Sequence, residues 1–286
     1  MAESIAELPG ASICYETIGN PNDRPLLLVF GLHGQLIWWD DELCRLLAAR
    51  GFFVVRFDNR DSGRSSRTPS RPHPIRAAVR LSRPAYTLAD MARDAINLLD
   101  HIGVSQAHVV GASMGGMIAQ LMAIEHPQRL LSLTLLMTTP GHLRIGFRTD
   151  FPLLAWMLRG HPEDREGYVR DSMAMIRKIA GRHLSLDEEG VRRMLYRNHA
   201  RGVSNDGTRH QLAAILTAPD RLRALRKIDL PVHVIHGSRD PIIPIGNAVL
   251  TAEAVKEGRL SVVPGMGHYL PPEAWPPLIH GLSALA

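Results

Sequence analysis

The segment Gly111-Ala112-Ser113-Met114-Gly115-Gly116 stands between two apolar runs. Ahead of it lies Ala107-His108-Val109-Val110, and behind it Met117-Ile118-Ala119-Gln120-Leu121-Met122-Ala123-Ile124. A short valine-rich run reads as a buried strand, and the longer apolar run as a buried helix. Ser113 therefore sits on a strand-to-helix turn, with Gly111 and Gly115 at G-x-S-x-G spacing. Such a turn holds its central residue in a strained conformation and brings strand and helix close together, so its neighbours must be small. It also sets the Ser113 hydroxyl at a helix N-terminus, where free N–H groups favour a developing negative charge.

A serine becomes a nucleophile only beside a base, and the base needs an acid to orient it. Val232-His233-Val234-Ile235 reads as another buried strand, running into His236-Gly237-Ser238-Arg239-Asp240-Pro241. Asp240 is the candidate acid, although an Asp-Pro pair by itself often just opens a turn. Leu260-Ser261-Val262-Val263 reads as a last strand, followed by the Gly-rich loop Pro264-Gly265-Met266-Gly267-His268. The chain has fourteen histidines, so residue type singles out none of them. Position does: His268 follows the strand after the acid-bearing one. A rival acid would lie after the strand Leu131 to Met137, but that loop reads Thr138-Thr139-Pro140-Gly141 and has no carboxylate. Asp58 and Asp61 read as structural members of their own turn.

Strand patterns alternate with helical ones, which predicts a mainly parallel sheet covered on both faces. Ser12 to Ile18 reads as an early strand at an antiparallel edge. Leu26 to Phe30 and Phe53 to Phe57 are the next strands. Between them a helix over Asp41 to Arg50 stops at Gly51. Thr87 caps a helix that runs to His101 and stops before Gly103. From about Gly141 to Arg226 the strand pattern vanishes. Phe151 to Arg159, Asp164 to Ala180, Asp187 to Tyr196 and Thr208 to Ala218 read as helices there.

These segments resemble the α/β-hydrolase superfamily over nearly the whole chain. The order Ser, Asp, His is that superfamily's order and differs from those of chymotrypsin-like and subtilisin-like proteases. Leu28-Val29-Phe30-Gly31-Leu32-His33-Gly34 and Phe57-Asp58-Asn59-Arg60-Asp61-Ser62-Gly63-Arg64-Ser65 carry the likeness further. Trp38-Trp39-Asp40, the Asp58 to Ser65 stretch and Val109 to Gly116 resemble the aclacinomycin methylesterase group of bacterial carboxylesterases. The resemblance implies an α/β-hydrolase core in two parts, residues 1–140 and 227–286, with a helical cap over 141–226. It implies Ser113, Asp240 and His268 as catalytic residues and the N–H groups of Met114 and Leu32 as the oxyanion hole. Many members carry His-Gly where this chain has Phe30-Gly31. A backbone donor tolerates that change, because it does not depend on the side chain. Trp156, Met157, Met173, Met175, Met194 and Tyr196 are candidates for an apolar cap ceiling. Trp156, Met173 and Tyr196 are the foremost pocket residues.

The implied activity is hydrolysis of a small-molecule carboxylic ester. The same triad also serves C–C bond hydrolysis of diketones and cofactor-free perhydrolysis, and the fold includes non-catalytic ligand-binding members. Epoxide hydrolases and dehalogenases are disfavoured, because they place an aspartate where Ser113 stands.

Composition excludes other classes. No apolar run approaches a membrane span. The N-terminal Met1-Ala2-Glu3-Ser4-Ile5-Ala6-Glu7 lacks the basic and apolar regions of a signal peptide, so a cytoplasmic location is expected. Cys14 and Cys44 have no metal-site spacing and read as buried thiols, and the histidines are equally scattered. Neither a metal nor a cofactor is expected. The net charge of +5 raises the question of nucleic acid, but the arginines are spread along the chain and no recognised nucleic-acid module surrounds them. The local exception is the loop 64–84, where Arg67, Arg71, Arg76 and Arg80 alternate with Pro69, Pro72, Pro74 and Pro84. It reads either as a solvated insertion or as a rim attracting an acidic or phenolic substrate. Nothing in the sequence specifies an oligomeric state.

Overall fold

Successive residues of a strand face opposite sides of a sheet, and the apolar strands of this chain put that alternation to use on both sides. The structure is a computed structural model that describes residues 2–141, 155–156, 158–181 and 186–284. Its strands are β1 (Ser4–Leu8), β2 (Ala11–Ile18), β3 (Arg24–Val29), β4 (Phe52–Phe57), β5 (Ala107–Ala112), β6 (Leu130–Leu136), β7 (Val232–Gly237) and β8 (Gly258–Val263). They form one eight-stranded sheet in the order β1-β2-β4-β3-β5-β6-β7-β8. β2 runs antiparallel to both its neighbours, and all the pairings from β4 to β8 are parallel.

Leu27, Val29, Val55, Val109 and Leu133 face one layer, where they pack with helices α3 (Leu88–His101) and α4 (Met114–Glu125). Leu26, Leu28, Val54 and Val110 face the other, against α1 (Asp41–Ala48) and the C-terminal helix over Trp275–Ala284. Each such side chain contributes about 1.5–3 kcal/mol by leaving water. α4 is buried from Met114 to Ala123, which explains an apolar sequence with little amphipathic character. Cys14 lies in β2 and Cys44 in α1, both buried and free.

The sheet edge differs from the expectation. Ser12 to Ile18 is not the edge strand; β1 is, folded back through Pro9 and Gly10, whose φ is +90°. β1 buries only Ala6, so it shows almost no apolar alternation to read.

Between β6 and β7 the described residues carry helices and no strand. After α2 (Pro74–Ala78) in the earlier loop come α5 (Arg165–Ile179), α6 (Glu188–Ala200), α7 (Asn205–Thr217) and α8 (Leu222–Leu225). The caps of α5, α6 and α7 share one design. The side chains of Asp164, Asp187 and Ser204 accept from the N–H groups of Gly167, Gly190 and Gly207. Each cap is worth about 1 kcal/mol. Ser204 starts α7 earlier than the expected Thr208. The expected helix over 151–159 lies partly, and Met157 wholly, outside the described residues.

Long-range polar contacts tie this helical segment to the sheet loops. Arg201, at the end of α6, bonds buried Asp58 at 2.5 Å and Glu3 at 2.6 Å. Gln35 donates to the carbonyls of Asn198 and Gly202.

Candidate active site

Ser113 joins β5 to α4 at φ 56° and ψ −120°, a conformation costly for any residue with a side chain. Its surroundings enforce it. A Cβ on Gly111 would stand 2.4 Å from the Gly115 carbonyl oxygen, and one on Gly115 would stand 2.1 Å from that of Val29. Glycine is therefore required at both places, as the spacing predicted. Ser113 N–H donates to Leu136 O at 2.9 Å, and Thr138 Oγ1 donates to Ser113 O at 2.7 Å. The turn is thus bonded on both sides, and the hydroxyl is left to project from the carboxyl edge of the sheet.

The loops after β7 and β8 are neighbours because those strands pair in parallel, up to Gly237 beside Val263. They deliver Asp240 and His268 to one place. His268 Nδ1 lies 2.7 Å from Asp240 Oδ2, and His268 Nε2 lies 2.8 Å from Ser113 Oγ. A carboxylate only accepts, so Nδ1 carries the ring proton and Nε2 receives the serine hydroxyl proton. Asp240 Oδ1 accepts from the N–H groups of Ile242 and Ile243, both at 2.8 Å. Burial pushes the Asp240 carboxyl up. The charge and hydrogen bond of His268, with His236 and Ile243 N–H, outweigh that and hold it below the usual range. His236 Nε2–H donates to Ile243 O at 2.8 Å, and burial depresses its pKa.

The His268 loop has a second support that the sequence did not reveal. His268 N–H donates to Ile179 O and Gly267 N–H to Ala180 O, at 2.6 and 2.9 Å. The histidine is therefore held by the C-terminal end of α5 as well as by its own strand. A Cβ on Gly267 would stand 2.0 Å from Ile179 O, so the contact is backbone against backbone.

Ser113 and His268 open into a cavity of about 880 Å³. Its walls include Leu32, Met117, Trp156, Met175, Met194 and Leu212. Trp156 lines it, with Nε1 donating to Asp171 at 2.8 Å. Met173 and Tyr196 do not. Met173 is buried among Tyr168, Val169 and Leu195, between α5 and α6. The Tyr196 hydroxyl donates to Glu166, and its ring lies under the Arg165 guanidinium. The correction follows from helical phase: Met173 and Met175 sit about 200° apart around α5, and only Met175 faces the cavity. Met114 has its side chain in the core, leaving only its N–H for the site. None of residues 64–84 lines the cavity, so the arginine-rich loop is not its rim.

Two histidines of the wall, His33 and His161, escaped sequence reasoning. Their rings stack 4.5 Å apart. His33 Nδ1 lies 2.8 Å from Thr208 Oγ1, and its N–H donates to Gln211 Oε1 at 2.9 Å, both on α7. Burial, then the nearby His161 and Arg67, push the His33 imidazole down to about 3. The sequence signal for His33 is its place in the Gly31 to Gly34 stretch, whose expected role there rests on backbone groups rather than side chains. Among the described residues, no group of three or more His, Cys, Asp or Glu is placed to hold a metal ion. Nor is any helix among them long and apolar enough to cross a membrane.

A strained serine between parallel β5 and α4, with the acid and histidine loops after later strands, is the arrangement of one fold family. The chain belongs to the α/β hydrolase fold family, whose pattern matches residues 24–274. Its relatives include rhodomycin D methylesterase DauP of Streptomyces sp. (strain C5), 33% identical over 94% of this chain and 93% of that protein. Rhodomycin D methylesterase DnrP of Streptomyces peucetius is 31% identical over the same shares. A hydrolase of Pseudomonas aeruginosa PA01 superposes with a TM-score of 0.76 at 25% identity, covering 99% of this chain and 97% of that one.

Proposed function

We propose that this protein hydrolyses a carboxylic ester through an acyl-enzyme on Ser113. The observation that carries the reading is the unbroken chain from Ser113 Oγ through His268 to buried Asp240, at 2.8 and 2.7 Å, opening on a large cavity. Ser113 Oγ attacks the ester carbonyl carbon as His268 Nε2 takes its proton. The imidazolium then gives that proton to the departing alcohol. Water repeats the sequence and releases the acid. Asp240 holds the tautomer and stabilises the imidazolium.

The oxyanion is received by backbone donors. Met114 N–H opens α4 and has no partner within the helix. Support for Leu32 N–H comes from its neighbours. His33 and Gly34 spend theirs on Gln211 Oε1 and Gly31 O, and a Cβ on Gly31 would stand 2.9 Å from the Ser113 Cβ. Each donor is worth on the order of 3 kcal/mol.

The helices α5, α6 and α7 act as a cap, since they supply one side of the cavity wall. The substrate has a bulky apolar acid side and a small alcohol. The cavity volume and its methionine, leucine and isoleucine lining support this, and two relatives are named for methyl esters. The two buried free thiols support a cytoplasmic setting. The test is a panel of purified esters varied on each side. Methyl esters of large polycyclic acids should exceed acetates of large alcohols in kcat/KM by tenfold or more. The reverse preference, or turnover confined to vinylogous diketones, would overturn the reading.

A further inference from the structure

The arginine-rich loop is not consumed by the active site, and among the described residues it combines arginines and exposed apolar side chains. No acidic residue occurs between Asp61 and Asp90, while Arg64, Arg67, Arg71, Arg76, Arg80 and Arg83 all fall there. Arg64 pairs with Glu3, and Arg67 donates to backbone carbonyls. Arg71, Arg76, Arg80 and Arg83 are exposed, and among the described residues none pairs with a carboxylate. Between them stand Ile75, Val79 and Leu81, which are 60, 59 and 70% exposed. Among the described residues the next most exposed large apolar one, Ile5, reaches 48%.

Local structure explains why these side chains stay out. α2 buries Pro74 and Ala77, which turns Ile75 and Val79, one helical turn apart, to the outside. The helix ends with Leu81 N–H on Arg76 O and Arg80 N–H on Ala77 O, with Arg80 at φ +61°. This is the Schellman closure, in which an apolar residue usually folds back onto the last turn. Here Leu81 projects instead and is 70% exposed. Behind the patch lies α7: Ser70 O is 2.9 Å from His210 Nε2. Thr208, Leu212 and Ile215 of that same helix face the cavity.

We propose that residues 71–83 dock the protein on an anionic lipid surface. Ile75, Val79 and Leu81 enter the interfacial region, and the four free arginines meet the lipid phosphates. Apart from His73, the exposed side chains of the patch are aliphatic or arginine, so it offers apolar surface and positive charge with no carboxylate among them. A lipid surface asks only for apolar burial and charge, which suits this composition. A second copy is disfavoured, since a symmetric contact would set arginines against arginines. In the proposed function, whose apolar substrate partitions into membranes, docking would present the cap to its source.

The experiment is co-sedimentation of the full chain with phosphatidylglycerol vesicles and with phosphatidylcholine vesicles, at low and high salt. Binding is expected on the anionic vesicles alone and is lost at high salt. Arg71→Glu combined with Arg76→Glu should weaken partition more than about tenfold, and Val79→Ser with Leu81→Ser should weaken it too. Both variants should turn over a water-soluble ester like wild type. Ser113→Ala should bind vesicles unchanged, so failure of the esterase reading would be seen separately. The proposal is overturned if anionic vesicles are not bound, if neutral ones bind equally, or if the double-glutamate variant binds as wild type.

Discussion

Asp240 has both carboxylate oxygens occupied: Oδ1 by two backbone N–H groups and Oδ2 by His268. An asparagine there could still accept at Oδ1, so the loop would keep its shape, but it could present an N–H to His268 and reverse the tautomer. Asp240→Asn should therefore leave the melting temperature nearly unchanged and lower kcat by roughly three to four orders of magnitude near neutral pH. Near wild-type turnover would place the acid elsewhere. The nearby rivals are committed to structure. Asp61 takes Thr68 N–H and Oγ1–H, and Asp58 takes Leu36 N–H, Arg64 N–H and Arg201. Asp58→Asn should cost about 1.5–3 kcal/mol in denaturant unfolding, because it takes the buried countercharge from Arg201 and leaves Glu3 as its carboxylate partner, while kcat in the surviving folded protein changes little. Ser113, Asp240 and His268 were legible one by one, since each follows a strand that the sequence displays. Met173 and Tyr196 were misplaced because facing the cavity depends on how α5 and α6 sit against their neighbours. No local pattern encodes that.

At the scale of elements, strands buried on both faces were legible as valine- and leucine-rich runs, and helices as capped periodic segments. β1 was not, because a strand with one buried residue leaves no pattern, and Ser204 was missed as the start of α7. The start of α4 packs backbone against backbone on the end of β3. Gly115→Ala sets a methyl group within 2.1 Å of Val29 O and 2.6 Å of Phe30 O, both backbone atoms that cannot swing aside. It should destabilise the protein by about 3 kcal/mol or more, read as a lower urea midpoint. A shift below about 0.5 kcal/mol would mean that the strand and helix are farther apart than described.

The whole molecule joins its helical segment to the sheet through partners far apart in sequence, such as Gln35 with Asn198 and Asp58 with Arg201. Such pairs lie beyond any sequence window, which is why the residue pattern displays helices there while the expectation of a cap rests on the resemblance alone. Several histidines are buried or half-buried. Burial is the largest cause lowering the pKa of His33, His108, His161, His233 and His236. For His33 the fall is from 6.5 to about 3, so between those values the unfolded chain binds the proton and the folded one does not. Stability is then complete above pH 6.5 and drains away as the pH falls below it. His33 alone should remove on the order of 1 kcal/mol by about pH 5.5. Urea midpoints at neutral and mildly acid pH check this, and a midpoint that rises on acidification would refute it. The central claim, an acyl-transfer nucleophile at Ser113, is met most directly by fluorophosphonate labelling followed by peptide mass spectrometry. A single adduct on Ser113 is predicted, with ester turnover lost in step with labelling and Ser113→Ala neither labelled nor active. An adduct on another residue, or Ser113→Ala retaining more than about a tenth of wild-type turnover, would contradict it.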